Sequence, residues 1–136
     1  MSNGARGSFP GPAPVPDAET RPFFEAAAEG RFLLKACRSC GEAHWYPRAI
    51  CPFCHSAETE WRQSPGRGSI YSWTVMRRAD PPYAIAFVTL EEGPVIMTNI
   101  VDADLDVLSI GEAVEMVLTP AGEGIALPQF RPLAKG

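Results

Sequence analysis

Four cysteines stand in two CxxC pairs, Cys37-Arg38-Ser39-Cys40 and Cys51-Pro52-Phe53-Cys54, and the chain has no fifth. Zinc takes four tetrahedral ligands, and a CxxC turn presents two thiolates at the spacing of half a shell. The second pair follows a ten-residue loop and fills the other half. Residues 37–54 therefore read as a zinc ribbon. Four thiolates leave no position for water or substrate, so such a metal folds the chain and performs no chemistry. Iron in the same shell is the alternative metal. Two disulfides are arithmetically possible, but nothing places the chain in an oxidising compartment. Its first residues lack a basic stretch followed by an apolar core, so no signal peptide is expected. His44 and His55 lie beside the cysteines; with four thiols available, both read as surface histidines.

At 136 residues the chain has the length of one domain, or of two small modules packed together. A hydrophobic content of 46% supports a core. No apolar run approaches the ~20 residues that cross a bilayer, and a soluble, cytoplasmic protein is expected. Fourteen prolines and twelve glycines point to strands and turns over helices. The net charge of −4 is unevenly spread: residues 31–78 carry eight Arg/Lys against three Glu, residues 79–136 two against nine Asp/Glu. A basic half beside an acidic half suits a small anionic ligand or an acidic partner surface near the ribbon. It does not suit a long nucleic-acid groove, which needs a continuous basic track.

Residues 1–16, rich in Gly, Pro, Ser and Ala without periodicity, read as a disordered leader. Residues 17–60 hold a short helix and the ribbon, and 61–136 a barrel. The helix takes Thr20 as N-cap and stops at Gly30, with Phe23, Phe24, Ala27 and Ala28 as its apolar stripe. Two adjacent phenylalanines on so short a helix need cover, from the body or from a partner. A strand over Arg31–Ala36 leads into the ribbon, and Trp45, Tyr46 and Arg48 form an exposed tip between the knuckles. These aromatics either cover the metal site or contact a ligand or partner. Beyond Trp61, Ser69–Met76 alternates with Tyr71, Trp73 and Val75 on one face. Tyr83–Leu90 is a continuous apolar run, typical of a buried strand, and Val95–Val101, Ala113–Leu118 and Ile125–Phe130 complete five. The fold class is thus mainly β: a short N-terminal helix, a rubredoxin-like zinc ribbon, and a small five-stranded OB-fold barrel, with a generic sandwich as the fallback.

The order of these pieces resembles one family. CRSCGEAHWYPRAICPFC, then GRGSIYSWTVMRRADPPYAIAFVTLEEG and IGEAVEMVLTP, are similar to the zinc-ribbon/OB-fold proteins of domain of unknown function 35, the acyl-CoA-associated OB-fold proteins. The likeness covers roughly residues 18–132. It implies Cys37, Cys40, Cys51 and Cys54 as zinc ligands. It further implies a scaffold that assembles with a thiolase, acyltransferase, aldolase or enoyl-CoA hydratase, holding coenzyme A or its thioester while the partner does the chemistry. The family has no shared catalytic residue to transfer.

No nucleophile stands with a base, since the metal claims every cysteine, and no GxSxG elbow, P-loop or dinucleotide fingerprint is present. Asp102, Asp104 and Asp106 imitate the start of an EF-hand loop but lack its glycine and closing glutamate, so they read as a solvated acidic turn. For coenzyme A, guanidinium forks suit the phosphates and an aromatic face suits the adenine. Arg77 and Arg78 beside Tyr83 are the first candidates, and Arg48 with Trp45 and Tyr46 the second. The expected function is a noncatalytic subunit of a thiolase-like, aldolase or hydratase complex. The rival is single-stranded nucleic-acid binding, with Tyr71, Trp73 and Tyr83 as stacking platforms. A free-standing hydrolase or transferase is the third reading.

Overall fold

The computed structural model describes residues 13–133, so most of the expected leader lies outside the described residues. Among the described residues the chain forms one helix, α1 (Arg21–Ala28), and eight strands. β1 (Phe32–Cys37), β2 (Ala43–His44) and β3 (Thr59–Ser64) make a three-stranded antiparallel sheet in the order β2-β1-β3. β4 (Arg67–Met76), β5 (Tyr83–Leu90), β6 (Val95–Ile100), β7 (Ala113–Gly122) and β8 (Ile125–Pro132) close a barrel in the order β4-β5-β6-β8-β7. β7 returns to β4 through Ala113–Glu115, and β6 meets β8 in parallel at Ile100 and Phe130. Closure with one parallel seam is the connectivity of the OB fold.

α1 begins at Arg21, directly after Thr20 at the expected N-cap position, and a hydrogen-bonded turn precedes it. The Asp17 carboxylate accepts from the Thr20 N–H (2.9 Å), and the Thr20 hydroxyl accepts from the Asp17 N–H (3.1 Å), a reciprocal capping box. Thr20 makes no side-chain cap bond into the helix itself. At the other end Gly30 has φ +88°, and the Gly30 and Arg31 amides donate to the carbonyls of Ala27 and Ala26, a Schellman stop. The buried stripe is Phe23, Phe24, Ala26 and Ala27, with Ala28 exposed. Phe23 packs edge-on against Phe24, Phe32 and Trp45, so the phenylalanine pair is covered by this chain and offers no surface to a partner.

Two glycines fix the start of the barrel. Gly66 has φ +71° beneath the Met116 side chain, and a Cβ on Gly68 would collide with the Thr89 carbonyl oxygen on the neighbouring strand. β4 then departs from simple alternation. A bulge between Ile70 and Ser72 leaves Tyr71 without a partner on β5 and turns it outward, away from Trp73 and Val75, which pack on the core. β5 alternates too, contrary to a strand buried on both faces: Ala84, Ala86, Val88 and Leu90 point in, Tyr83 and Phe87 out. One core runs through all parts: Phe23 and Phe24 of α1, Phe32 and Leu34 of β1, and Ile70, Val88, Ile96, Val114 and Phe130 of the barrel. No helix among the described residues is long and apolar enough to cross a membrane.

Candidate metal centre and ligand surfaces

The two CxxC turns have the same backbone design. The Cys37 N–H donates to the Glu42 carbonyl and the Gly41 N–H to the Cys37 carbonyl; Cys51, Ser56 and His55 repeat both bonds. The fifth residue of each knuckle is left-handed, Gly41 at φ +82° and His55 at φ +66°. His55 is therefore an exposed turn residue. The Cys40 N–H points at the Cys37 sulfur and the Phe53 N–H at the Cys51 sulfur, both at 3.4 Å.

This stitching gathers four sulfurs. Cys37 Sγ lies 3.6 Å from Cys54 Sγ, Cys40 Sγ 3.7 Å from Cys51 Sγ, and all four fall within 4.8 Å of one another. A tetrahedral Zn–S shell of ~2.3 Å bonds needs sulfurs ~3.8 Å apart. The donor set and its spacing fit that ion. The Cys40 amide, with help from other donors, holds Cys37 down at about 6 against the cost of burial. For Cys40 the Glu42 amide favours the thiolate, but burial and the neighbouring sulfurs outweigh it and push the thiol up to about 12. Four crowded thiols resist full ionisation together, and a bound cation removes that conflict.

Beside the knuckles lies a polar group that sequence reasoning missed. His44 is 2% exposed, and neither ring nitrogen has a hydrogen-bond partner, so it is a core residue and no surface histidine. Burial, with Lys35 and Arg48 nearby, lowers its pKa, opposed by the Arg48 carbonyl, which does not reach hydrogen-bond geometry. Lys35, its cross-strand partner, donates to the Thr59 hydroxyl (3.3 Å) and lies 4.6 Å over Trp61. Only the hydrophobic setting of Phe32 and Leu34 hinted that the strand would bury its polar members.

Of the ligand candidates, Arg77, Arg78 and Tyr83 gather at the β4–β5 hairpin. The Arg77 guanidinium is 2.8 Å from the Asp106 carboxylate, and the Asp102–Asp106 turn thereby neutralises one arginine. Arg78 is exposed and makes no ion pair among the described residues; Tyr83 is 44% exposed. On the ribbon, Trp45 turns inward onto Phe23 and Phe32, while Arg48 lies over the exposed Tyr46 ring (5.6 Å) and 4.0 Å from Glu19. None of these residues lines the 280 Å³ groove between the ribbon sheet and Glu92, whose charged walls are Arg62 and Glu92. The three aromatics proposed as stacking platforms do not share a face, because Trp73 packs inward while Tyr71 and Tyr83 point out.

Known proteins share this arrangement. Residues 24–60 match the family model described as ChsH2, rubredoxin-like zinc ribbon domain, and residues 61–119 the one described as ChsH2, C-terminal OB-fold domain. The chain is 31% identical over 126 residues to a probable enoyl-CoA hydratase alpha subunit of Thermomonospora curvata, covering 89% of this chain but only 40% of that protein. It is 36% identical over 100 residues to a DUF35 domain-containing scaffold protein of Pyrococcus furiosus, covering 65% of this chain and 74% of that protein. Among solved structures, a chain of the Ltp2-ChsH2(DUF35) aldolase superposes with a TM-score of 0.77 at 30% identity, covering 89% of this chain and 99% of that one. A DUF35 protein of Sulfolobus solfataricus shares the fold at 13% identity and a TM-score of 0.63.

Proposed function

Because the chain belongs to the DUF35 family, in the zinc-ribbon and OB-fold form of ChsH2, we propose that it is a noncatalytic subunit of an acyl-CoA enzyme. Its partner is a thiolase-fold enzyme, an aldolase or a hydratase, and the complex works in the cytoplasm. The partner makes or breaks the bonds beside the thioester, and this chain helps form the acyl-CoA site. The observation that carries the reading is the superposition of 89% of this chain on a chain of the Ltp2-ChsH2(DUF35) aldolase. The longer hydratase relative, of which this chain spans 40%, points to the same substrate class.

Zinc in this reading is structural, held by Cys37, Cys40, Cys51 and Cys54. Cys40→Ser removes one of four ligands, and bound zinc should fall below one ion per chain with loss of the ribbon's amide dispersion. Full zinc occupancy in that variant would contradict the four-thiolate shell. Coenzyme A contact is assigned to Arg78 and Tyr83, with Arg77 shared between ligand and Asp106; Arg48 with Tyr46 is the second patch. Arg78→Ala should weaken coenzyme A retention by the assembled complex about 10-fold, the worth of one charged hydrogen bond, and leave zinc unchanged. Unaltered retention would move the contact to Arg48.

The deciding experiment is purification of the tagged chain from its own cells at moderate salt, with co-purifying proteins identified by mass. A stoichiometric thiolase, aldolase or hydratase establishes the subunit. Oligonucleotide instead of protein in the eluate, or catalysis by the chain alone, would overturn it.

A further inference from the structure

We propose that the outward face of β4, β5 and β6 is where this chain docks on its enzyme partner, through an uncharged patch centred on Tyr71, Phe87 and Met97. The inference rests on the partner reading above and adds the location of the contact. A barrel strand with water on one side ordinarily alternates apolar inward with polar outward. Here the inward half of that rule holds but for Thr98, while the outward half fails at four positions set among the uncharged Ser72, Thr74, Thr89 and Asn99. Met97 is 64% exposed, Tyr71 65%, Val95 44% and Phe87 42%. Register places them together: Phe87 pairs with Met97 on one side and with Ser72, next to Tyr71, on the other, and Thr89 pairs with Val95. The bulge brings Tyr71 to this face, where strict alternation would have sent it inward.

From Ser69 to Met76, Tyr83 to Leu90 and Val95 to Ile100, no position carries a charge. The charges lie beyond both ends, Arg67, Glu91 and Glu92 at one and Arg77 and Arg78 at the other. A charge-free centre of Tyr, Phe and Met inside a charged rim is the composition of a protein interface. The exposed apolar area is on the order of 500 Å², toward the upper end of what a solitary protein leaves in water. An ordinary interface takes ~800 Å² from each side, so this patch is the right size for its centre, the rim supplying the rest.

The location also selects the occupant. The face over the second and third barrel strands, here β5 and β6, is the ligand face of OB folds. A nucleic-acid strand requires Lys or Arg along it, and it has none. β5, the middle strand of the patch, is paired along its length with β4 and β6, whereas β4 meets β7 only through Arg67–Ser69 and β6 meets β8 only at Ile100, so an added strand finds no edge at the centre of the face. At Tyr71, Phe87 and Met97 the contact runs through side chains, and it fits a protein surface that is itself apolar and uncharged.

Met97→Lys and Tyr71→Lys, on exposed positions, place a charge in the patch without entering the core; Glu25→Arg on the exposed side of α1 is the control, a larger positive charge change away from the patch. Each tagged chain is purified from the native cells, with zinc content and melting temperature measured in parallel. Recovery of an acyl-CoA enzyme with wild type and Glu25→Arg, roughly 100-fold less with either lysine variant at unchanged zinc and melting temperature, supports the face. As a measurement free of mutation, Met97 should resist peroxide oxidation in the isolated complex and oxidise readily in the chain alone. Equal recovery by the lysine variants, or an oxidisable Met97 in the complex, overturns the face and leaves the subunit reading standing. No acyl-CoA enzyme with wild type overturns both. Self-association of the purified chain that Met97→Lys abolishes assigns the face to a second copy and also overturns the proposal.

Discussion

His44 sits where an imidazole gains nothing from its nitrogens, so the folded chain holds it neutral. Burial lowers its pKa below the ordinary 6.5, and the charges that face it, Lys35 from β1 and Arg48 from the loop after β2, push the same way. In the unfolded chain the same histidine takes up a proton as pH falls below about 6.5. The unfolded state then binds more protons than the native one, and stability must drop with pH through that window until the native histidine also titrates. Zinc thiolates lose their metal in acid as well, so the wild-type slope alone does not isolate the effect. His44→Phe keeps a ring in the pocket and removes the titration. Its urea midpoint at pH 7.5 should be at least that of wild type, and its decline from pH 7.0 to 5.5 shallower; an unchanged decline would place the pH dependence elsewhere. The four cysteines were legible because their chemistry leaves few alternatives. His44 was not, because a histidine reads alike on a surface and in a core, and only the packing of β1 and β2 separates the two.

The sequence Gly66-Arg67-Gly68 illustrates what a strand can and cannot announce. Two glycines one residue apart are a turn signal, and Gly66 does turn the chain, with its positive φ. Gly68 is a strand residue paired with Leu90, and its hydrogen stands where a methyl group would press on the Thr89 carbonyl and the Val88 side chain. Backbone cannot yield as a flexible side chain does. Gly68→Ala should therefore part β4 from β5 and cost ~2–4 kcal/mol in a denaturant titration, against about 1 kcal/mol for Gly93→Ala, whose Cβ meets nothing and whose only cost is the strain of φ +115°. Equal costs at the two positions would contradict the close approach. Element types were readable from the alternation of β4 and the apolar run of β5. The bulge was not, since one unpaired residue leaves no mark in a pattern of period two, and the error fell on Tyr71. Missing it hid the apolar patch, because Tyr71 then counts as core beside Trp73. The same blindness affected β5, where a run of eight largely apolar residues does not say which half faces water.

Ribbon and barrel invite description as two modules, and the sequence pattern reinforces it, two CxxC knuckles preceding a series of alternating strands. The packing contradicts that division. Phe23, Phe32 and Leu34, all fully buried, belong to the same apolar cluster as Ile70, Val88 and Phe130 of the barrel. β3 pairs along its whole length with β1 and then enters β4 after a turn of two residues, so the sheet that carries Cys37 is wired directly into the barrel. Cys37 is the last residue of β1, and the strand that presents it also carries Phe32 and Leu34 into the core. Metal binding that fixes Cys37 therefore stabilises the position of that core strand, and its free energy is shared by the whole chain. Removing zinc with a strong chelator should lower one cooperative melting transition of the entire chain, leaving no separate barrel transition at the original temperature. Calorimetry tests this directly, with near-ultraviolet dichroism as a second probe, because Trp45 and Trp61 report on the ribbon side and Trp73 on the barrel. Coincident loss of all signals at a reduced temperature is the expected result. A barrel that melts unchanged after chelation would mean that the shared core does not couple the two parts, and that a partner could dock on the barrel with or without the metal.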